Sequence, residues 1–215
     1  MNNERKPMNN LFLITGMSGS GKSSLINPLR EMCNDQFEIW DIDQLIYNLR
    51  DNGHPEAPLL KSWKLGDDGN PFVECFNIVY SDASRSQKDV IICGTVFPKD
   101  VYAKTKLAFN AIRWIGLYAN PDDIRTRLGT RKSDIWTKEM IEFHANSFTW
   151  FKKIPDQIDN KMILINTSDH GISDVVKIIH NHLLAELRLL APKSDAPEPA
   201  KSAIPVLPQS DPPAR

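Results

Sequence analysis

The sequence predicts a three-layer α/β/α fold around a five-stranded parallel sheet, and three observations lead there. Short apolar runs of buried-strand type alternate with stretches of helical period from residue 11 to residue 190. Gly16-Met17-Ser18-Gly19-Ser20-Gly21-Lys22-Ser23 fits the phosphate-binding-loop pattern G-x-x-x-x-G-K-[ST] without substitution. Asp41-Ile42-Asp43 stands at the end of the second apolar run, where open parallel sheets hold their ligands.

The elements follow in order. Leu11–Thr15 reads as the first strand and Ser24–Cys33 as the first helix, stopped by Asn34-Asp35. Phe37–Asp41 is the second strand, and Gln44 to Asp51 looks helical. Residues 52–70 are long and irregular, rich in glycine and proline, and Phe72 to Ser86 resumes as a helix. We read 44–86 as an insert covering the acceptor site. Val90–Gly94 is the third strand, Lys99–Ala108 a helix and Ile112–Tyr118 the fourth strand. Pro121 opens the next helix, with Asp122 and Asp123 suiting its positive end. Its Ile124 and Leu128 are expected to face the sheet, with Arg127 and Arg131 on a neighbouring face. Thr137–Lys152 reads as one amphipathic helix bearing Met140, His144, Phe148 and Phe151. Met162–Asn166 is the fifth strand. Ile172–Leu190 closes the domain with a buried stripe of Ile172, Val175, Val176, Ile179, Leu183, Leu187 and Leu190.

Composition sets the outer bounds. Lys and Arg total 26 against 27 Asp and Glu, for a net charge of -1, which suggests neither a nucleic-acid nor a membrane-surface partner. Cys33, Cys75 and Cys93 are odd in number and widely spaced, as expected of reduced core thiols and not of a disulfide frame. Residues 1–10 read as a flexible leader lacking signal-peptide character. No apolar run is long enough for a bilayer, so the expected location is the cytoplasm. From about residue 191 to residue 215 proline, alanine and serine leave too little apolar surface to fold, predicting a disordered tail.

The loop carries the clearest chemistry. Its glycines let successive N–H groups turn inward onto phosphate oxygens, and the helix that follows adds its positive end. Gly16, Ser18, Gly19, Ser20, Gly21, Lys22, Ser23 and Ser24 are therefore the expected nucleotide contacts. Lys22 reaches the β- and γ-phosphates, and the Ser23 hydroxyl supplies a Mg²⁺ ligand. A carboxylate at the end of an adjacent strand can hold the metal, and a second one two residues on can orient an acceptor hydroxyl and take its proton. The competing reading makes Asp43 the cap of the helix beginning at Gln44.

In element order over most of residues 11–190 the chain resembles the nucleoside-monophosphate-kinase-like group of P-loop proteins, which includes shikimate, dephospho-coenzyme A and adenylate kinases. Gly16–Ser23, Asp41-Ile42-Asp43, Gly94, Arg127 to Arg131 and Asn166-Thr167-Ser168 carry the resemblance. It implies Asp41 on Mg²⁺ and Asp43 on the acceptor. It also implies Arg127 and Arg131 as arginines of a small lid (125–137), and Thr167 and Ser168 beside the adenine ring. The alternative for the arginines is a solvated basic helix face.

The third strand departs from the adenylate-kinase pattern. Cys93 occupies the usual aspartate position, and Lys99 is a poor match for an acceptor-gripping arginine. That weakens a nucleotide acceptor, shifts metal duty to Asp41 and leaves the Gly94 backbone to lie against the acceptor. The resulting expectation is ATP-dependent phosphotransfer, with Mg²⁺, to the hydroxyl of a small molecule, by a monomer or dimer. A nucleoside or nucleoside-monophosphate kinase is one alternative, and a regulatory NTPase acting through a protein partner is another. No histidine has metal-ligand spacing, and none is assigned a role.

Overall fold

The computed structural model describes residues 9–33, 35–44, 85–95, 109–131, 136–157 and 162–190. The leader up to residue 8, nearly all of the 44–86 insert, the 99–108 helix, residues 132–135 of the lid and the 191–215 tail lie outside the described residues. Among the described residues no helix is long and apolar enough to cross a membrane.

Five strands form one all-parallel sheet in the order β2-β3-β1-β4-β5: β1 (Asn10–Gly16), β2 (Phe37–Asp41), β3 (Asp89–Cys93), β4 (Ala111–Tyr118) and β5 (Ile163–Asn166). The central strand β1 runs in register with both neighbours, Leu11 opposite Val90 on one side and Ile112 on the other. Because successive side chains point to opposite faces, Leu11, Leu13, Val90, Ile92 and Trp114 join one core cluster. Phe12, Ile14, Ile91, Ile115 and Leu117 join the other. Burial on both faces explains why these strands read as unbroken apolar runs and not as alternating ones.

Helices α1 (Lys22–Cys33) and α5 (Ile172–Leu190) cover the second face. Leu25, Ile26 and Leu29 of α1 and Val175, Val176, Ile179 and Leu183 of α5 share its cluster. Pro28 sits inside α1, where a missing N–H and ring crowding disfavour helix, yet the buried stripe of Leu25, Leu29 and Cys33 carries the helix through. On α5 the expected stripe holds over Val175, Val176, Ile179 and Leu183, while Leu187 packs only partly, Ile172 at the start is exposed and Leu190 at the end is half-buried outside the cluster.

Two helices do not follow the expected packing. In α2 (Pro121–Gly129), Ile124 and Leu128 are buried as predicted, but they meet Ala119, Ala145, Trp136 and Ile141 instead of the sheet, in a small core of their own. The stretch expected as one helix over 137–152 divides at Ser147 into α3 (Lys138–Asn146) and α4 (Phe148–Phe151), followed by a 3₁₀ turn at Ile154–Gln157. The Ser147 hydroxyl donates to the Phe143 carbonyl at 2.7 Å, a back-bond of the kind that bends helices. Ala145 is the buried residue of α3, whereas Met140 and His144 are only partly covered. Beyond the bend, Phe151 is fully buried and closes the first face of the sheet together with Ile154 and Met162. Arg125 spans α2 and α3 with a two-pronged ion pair to Glu142, at 2.9 and 3.0 Å.

Candidate phosphate-binding site

All five carboxyl ends of the strands lie along one rim of the sheet, and the chemistry-bearing residues gather there. The turn after β1 is tight enough that glycine is required at two points. A Cβ on Gly16 would collide with the Leu117 carbonyl and with Ser20 Oγ. Gly19 has φ +84° and lies against Leu128 and Ile124 of α2, so the left-handed backbone and the close helix contact both exclude a side chain. Ser20 N–H donates to the Met17 carbonyl at 3.1 Å and Ser24 N–H to that of Gly21 at 3.1 Å, closing the curl. Helix α1 starts at Lys22, and the first-turn N–H groups of any helix lack intrahelical acceptors, so Lys22 and Ser23 aim theirs at the rim. Ser18 is half-buried, Ser20 fully buried, and Ser23 and Ser24 are exposed.

Lys22 folds back over this turn. Its Nζ donates to the carbonyls of Gly16 at 2.6 Å and Met17 at 3.0 Å, and the residue is buried. Burial lowers its pKa from 10.5 to about 8. Asp43, Cys93 and Asp41 pull it upward, and Arg131 adds to the lowering.

Asp41 ends β2 and does the capping that was the competing expectation for Asp43. Asp41 Oδ1 accepts from Asp43 N–H at 3.0 Å and from Gln44 N–H at 3.4 Å. Asp43 is left with an exposed side chain. Its carboxyl is nevertheless pushed above the ordinary value by the protein around it, Lys22 pulling down and Asp41 pushing further up. On β3, opposite Asp41 in the ladder, Cys93 is a buried thiol that burial pushes up to about 12. Gly94 N–H donates to the Ile14 carbonyl at 3.0 Å, and the Thr95 hydroxyl reaches the Gly16 carbonyl at 3.3 Å.

The two arginines are held differently. One terminal nitrogen of Arg127 donates to the Gly19 carbonyl at 3.1 Å and to Thr167 Oγ1 at 2.9 Å, while the other donates to the Thr167 carbonyl at 2.9 Å. Thr167, buried at the end of β5, lies near the carbonyls of Ser20 at 3.0 Å and Tyr118 at 3.1 Å through the same hydroxyl. Arg127 and Thr167 thus form a clasp between the phosphate loop and the loop after β5. Ser168 is committed too, its Oγ accepting from Asn120 N–H at 2.8 Å. Arg131 is exposed, and its guanidinium lies 5.3 Å from the centre of the Trp136 ring. The Trp136 ring meets the His144 ring edge-on at 5.6 Å.

Trp136, His144 and Thr95 are the site neighbours that sequence reasoning did not assign. His144 lacks any spacing motif, and its proximity becomes visible only when α3 is folded against α2. Burial lowers its pKa, as do Lys22 and Arg131.

No family model matches the chain, and no curated protein matches it. Solved structures do match. A sugar kinase from Janibacter sp. HTCC2649 aligns over 87% of this chain and 100% of its own, at 13% identity and a TM-score of 0.56. A shikimate kinase from Bacteroides thetaiotaomicron aligns over 82% and 99% respectively, at 19% identity and a TM-score of 0.55. The fold is that of the P-loop kinases. A gluconokinase from Sinorhizobium meliloti 1021 shares it as well, over 88% of this chain and 100% of its own, at 14% identity and a TM-score of 0.54. Within this fold the Gly16–Ser23 turn stands at the end of β1 and the Asp-x-Asp at the end of β2, separated by β3 along the rim of carboxyl ends, where open parallel sheets place ligands.

Proposed function

We propose that this chain transfers the γ-phosphoryl group of Mg-ATP to the hydroxyl of a small-molecule acceptor. The observation that carries the reading is a buried lysine curled into a glycine turn, on the same rim of strand ends as Asp41 and Asp43. Phosphoryl transfer asks a protein for positioning and charge neutralisation more than for covalent help, and this rim supplies both.

The acceptor oxygen attacks the γ-phosphorus in line, a new P–O bond forms, the β,γ-bridging bond breaks and ADP leaves. Asp43 takes the hydroxyl proton; its exposed position and raised basicity suit that role. Lys22 turns from the loop carbonyls to the β- and γ-oxygens, and Arg131 meets the transferring group. Ser23 and Asp41 offer a hydroxyl and a carboxylate, hard oxygen donors of the kind Mg²⁺ takes, and Asp41 Oδ2 makes no hydrogen bond among the described residues. An ion held there would neutralise charge on the phosphate oxygens. Arg127 acts as the clasp, with Thr167 and Ser168 shaping the loop beside the base.

ADP release measured across sugars, polyols, nucleosides and nucleoside monophosphates tests the reading. One hydroxyl-bearing compound should stimulate turnover, and Lys22→Ala should abolish it in a folded protein. Asp43→Asn is expected to keep ATP affinity while lowering kcat by about 10²–10⁴. Full activity in Lys22→Ala, or no saturable Mg²⁺-dependent affinity for ATP, would overturn the proposal.

A further inference from the structure

The cations around the phosphate loop are restrained in different ways. Lys22 donates to two carbonyls of its own loop, and Arg127 spends its fork on Gly19 and Thr167. Arg131 makes no side-chain hydrogen bond or ion pair among the described residues. Its described contact is the face of Trp136 at 5.3 Å, inside the roughly 6 Å reach of a cation–π interaction.

Trp136 is itself fixed. It packs against the small core of Ala119, Ile124, Leu128 and Ala145, and His144 abuts it edge-on at an interplanar angle of 61°. His144 Nδ1 is buried without a hydrogen-bond partner among the described residues, so packing between Trp136 and Phe143, the latter centred 5.3 Å away, sets the ring. Burial and the nearby Lys22 and Arg131 disfavour the imidazolium, so the brace remains neutral near pH 7 and does not repel the arginine it supports.

We propose that Trp136, braced by His144, is a positioning residue that holds the Arg131 guanidinium ready for the transferring phosphoryl group. The proposal rests on the phosphotransfer reading above. An ion pair would occupy the fork and cancel its charge. An aromatic face restrains the guanidinium plane, lowers the rotamer entropy left to lose and keeps the N–H edge free for bidentate contact with phosphate oxygens.

The test compares the full-length protein with Trp136→Phe, Trp136→Leu, Arg131→Ala and the Trp136→Leu/Arg131→Ala double variant. ¹⁵N relaxation at Arg131 Nε, assigned by its loss in Arg131→Ala, should report an ordered side chain in the wild type and Trp136→Phe and a mobile one in Trp136→Leu. Equal mobility in the wild type and Trp136→Leu overturns the proposal, whatever the enzyme does. Single-turnover hydrolysis of Mg-ATP is the second readout. Trp136→Leu should slow it about tenfold, Trp136→Phe should return to within about threefold, and Trp136→Leu should add less than about twofold on the Arg131→Ala background. Independent, multiplying losses overturn the proposal. If the wild type neither hydrolyses Mg-ATP nor releases ADP with any acceptor of the panel above, the phosphotransfer reading has failed, and the relaxation arm still decides whether Trp136 orders Arg131.

Discussion

Lys22 is held in an environment that disfavours its own charge. Between pH of about 8, its folded value, and the ordinary 10.5, the unfolded chain retains a proton that the folded chain has lost. Where the unfolded state binds more protons, stability rises with pH. The charged lysine therefore costs stability below pH 8, and that cost is relieved progressively up to 10.5. Lys22→Met has no such proton. Its stability relative to wild type should fall by on the order of 2–3 kcal/mol between pH 7 and pH 10.5, read by chemical unfolding at each pH. A pH-independent difference would contradict the burial of this charge. A bound polyphosphate would add negative charge beside the lysine and should raise its pKa again. Asp43 shows the complementary logic. Its neighbour Asp41 does the capping, which leaves the Asp43 carboxylate exposed and uncommitted to the helix end.

At the scale of elements, the junction between α2 and the loops is the feature that sequence could least announce. The helical period shows that Ile124 and Leu128 share a face, but it does not say which neighbour covers that face. The answer is α3 and Gly19. The Arg127–Thr167 clasp was equally hidden, since two residues 40 apart meet only after the sheet has formed. Arg127→Met should cost on the order of 2 kcal/mol, and Thr167→Val about 1–2 kcal/mol. Because they share one set of bonds, the double variant should cost about 1 kcal/mol less than the sum, as a double-mutant cycle by urea unfolding would read. Additive losses would mean that the two loops are held separately. By contrast, the backbone course of the Gly16–Ser23 turn was legible, because its glycines are dictated by local collisions and backbone angles that a sequence pattern records directly. The bend at Ser147 was not, because one hydroxyl back-bond decides it within an otherwise helical period.

For the molecule as a whole, the strands were legible because both faces of the sheet are buried. Such runs need no partner information to be recognised, and the alternation with helices implied parallel pairing. What stayed illegible was spatial order: β3 lies between β1 and β2, so Asp41 reaches the rim one strand removed from the Gly16–Ser23 turn. Cooperativity follows from the two-sided core. Trp114 is wholly buried on the central neighbour of β1, and Trp114→Ala should cost about 3–5 kcal/mol. Thermal unfolding followed by circular dichroism and by ATP affinity should show both signals lost together. Loss of affinity well below the melting transition would argue for a separately melting rim.

Parallel pairing also gives the sheet a direction, since each strand enters at the far edge and leaves at the rim that carries the Gly16–Ser23 turn. Tolerance to replacement should therefore be graded along the strand axis, permissive near Asn10, Asp89 and Ala111 and severe near Gly16, Asp41 and Cys93. Remodelling for new chemistry belongs at the severe end, and tags or surface labels at the permissive one.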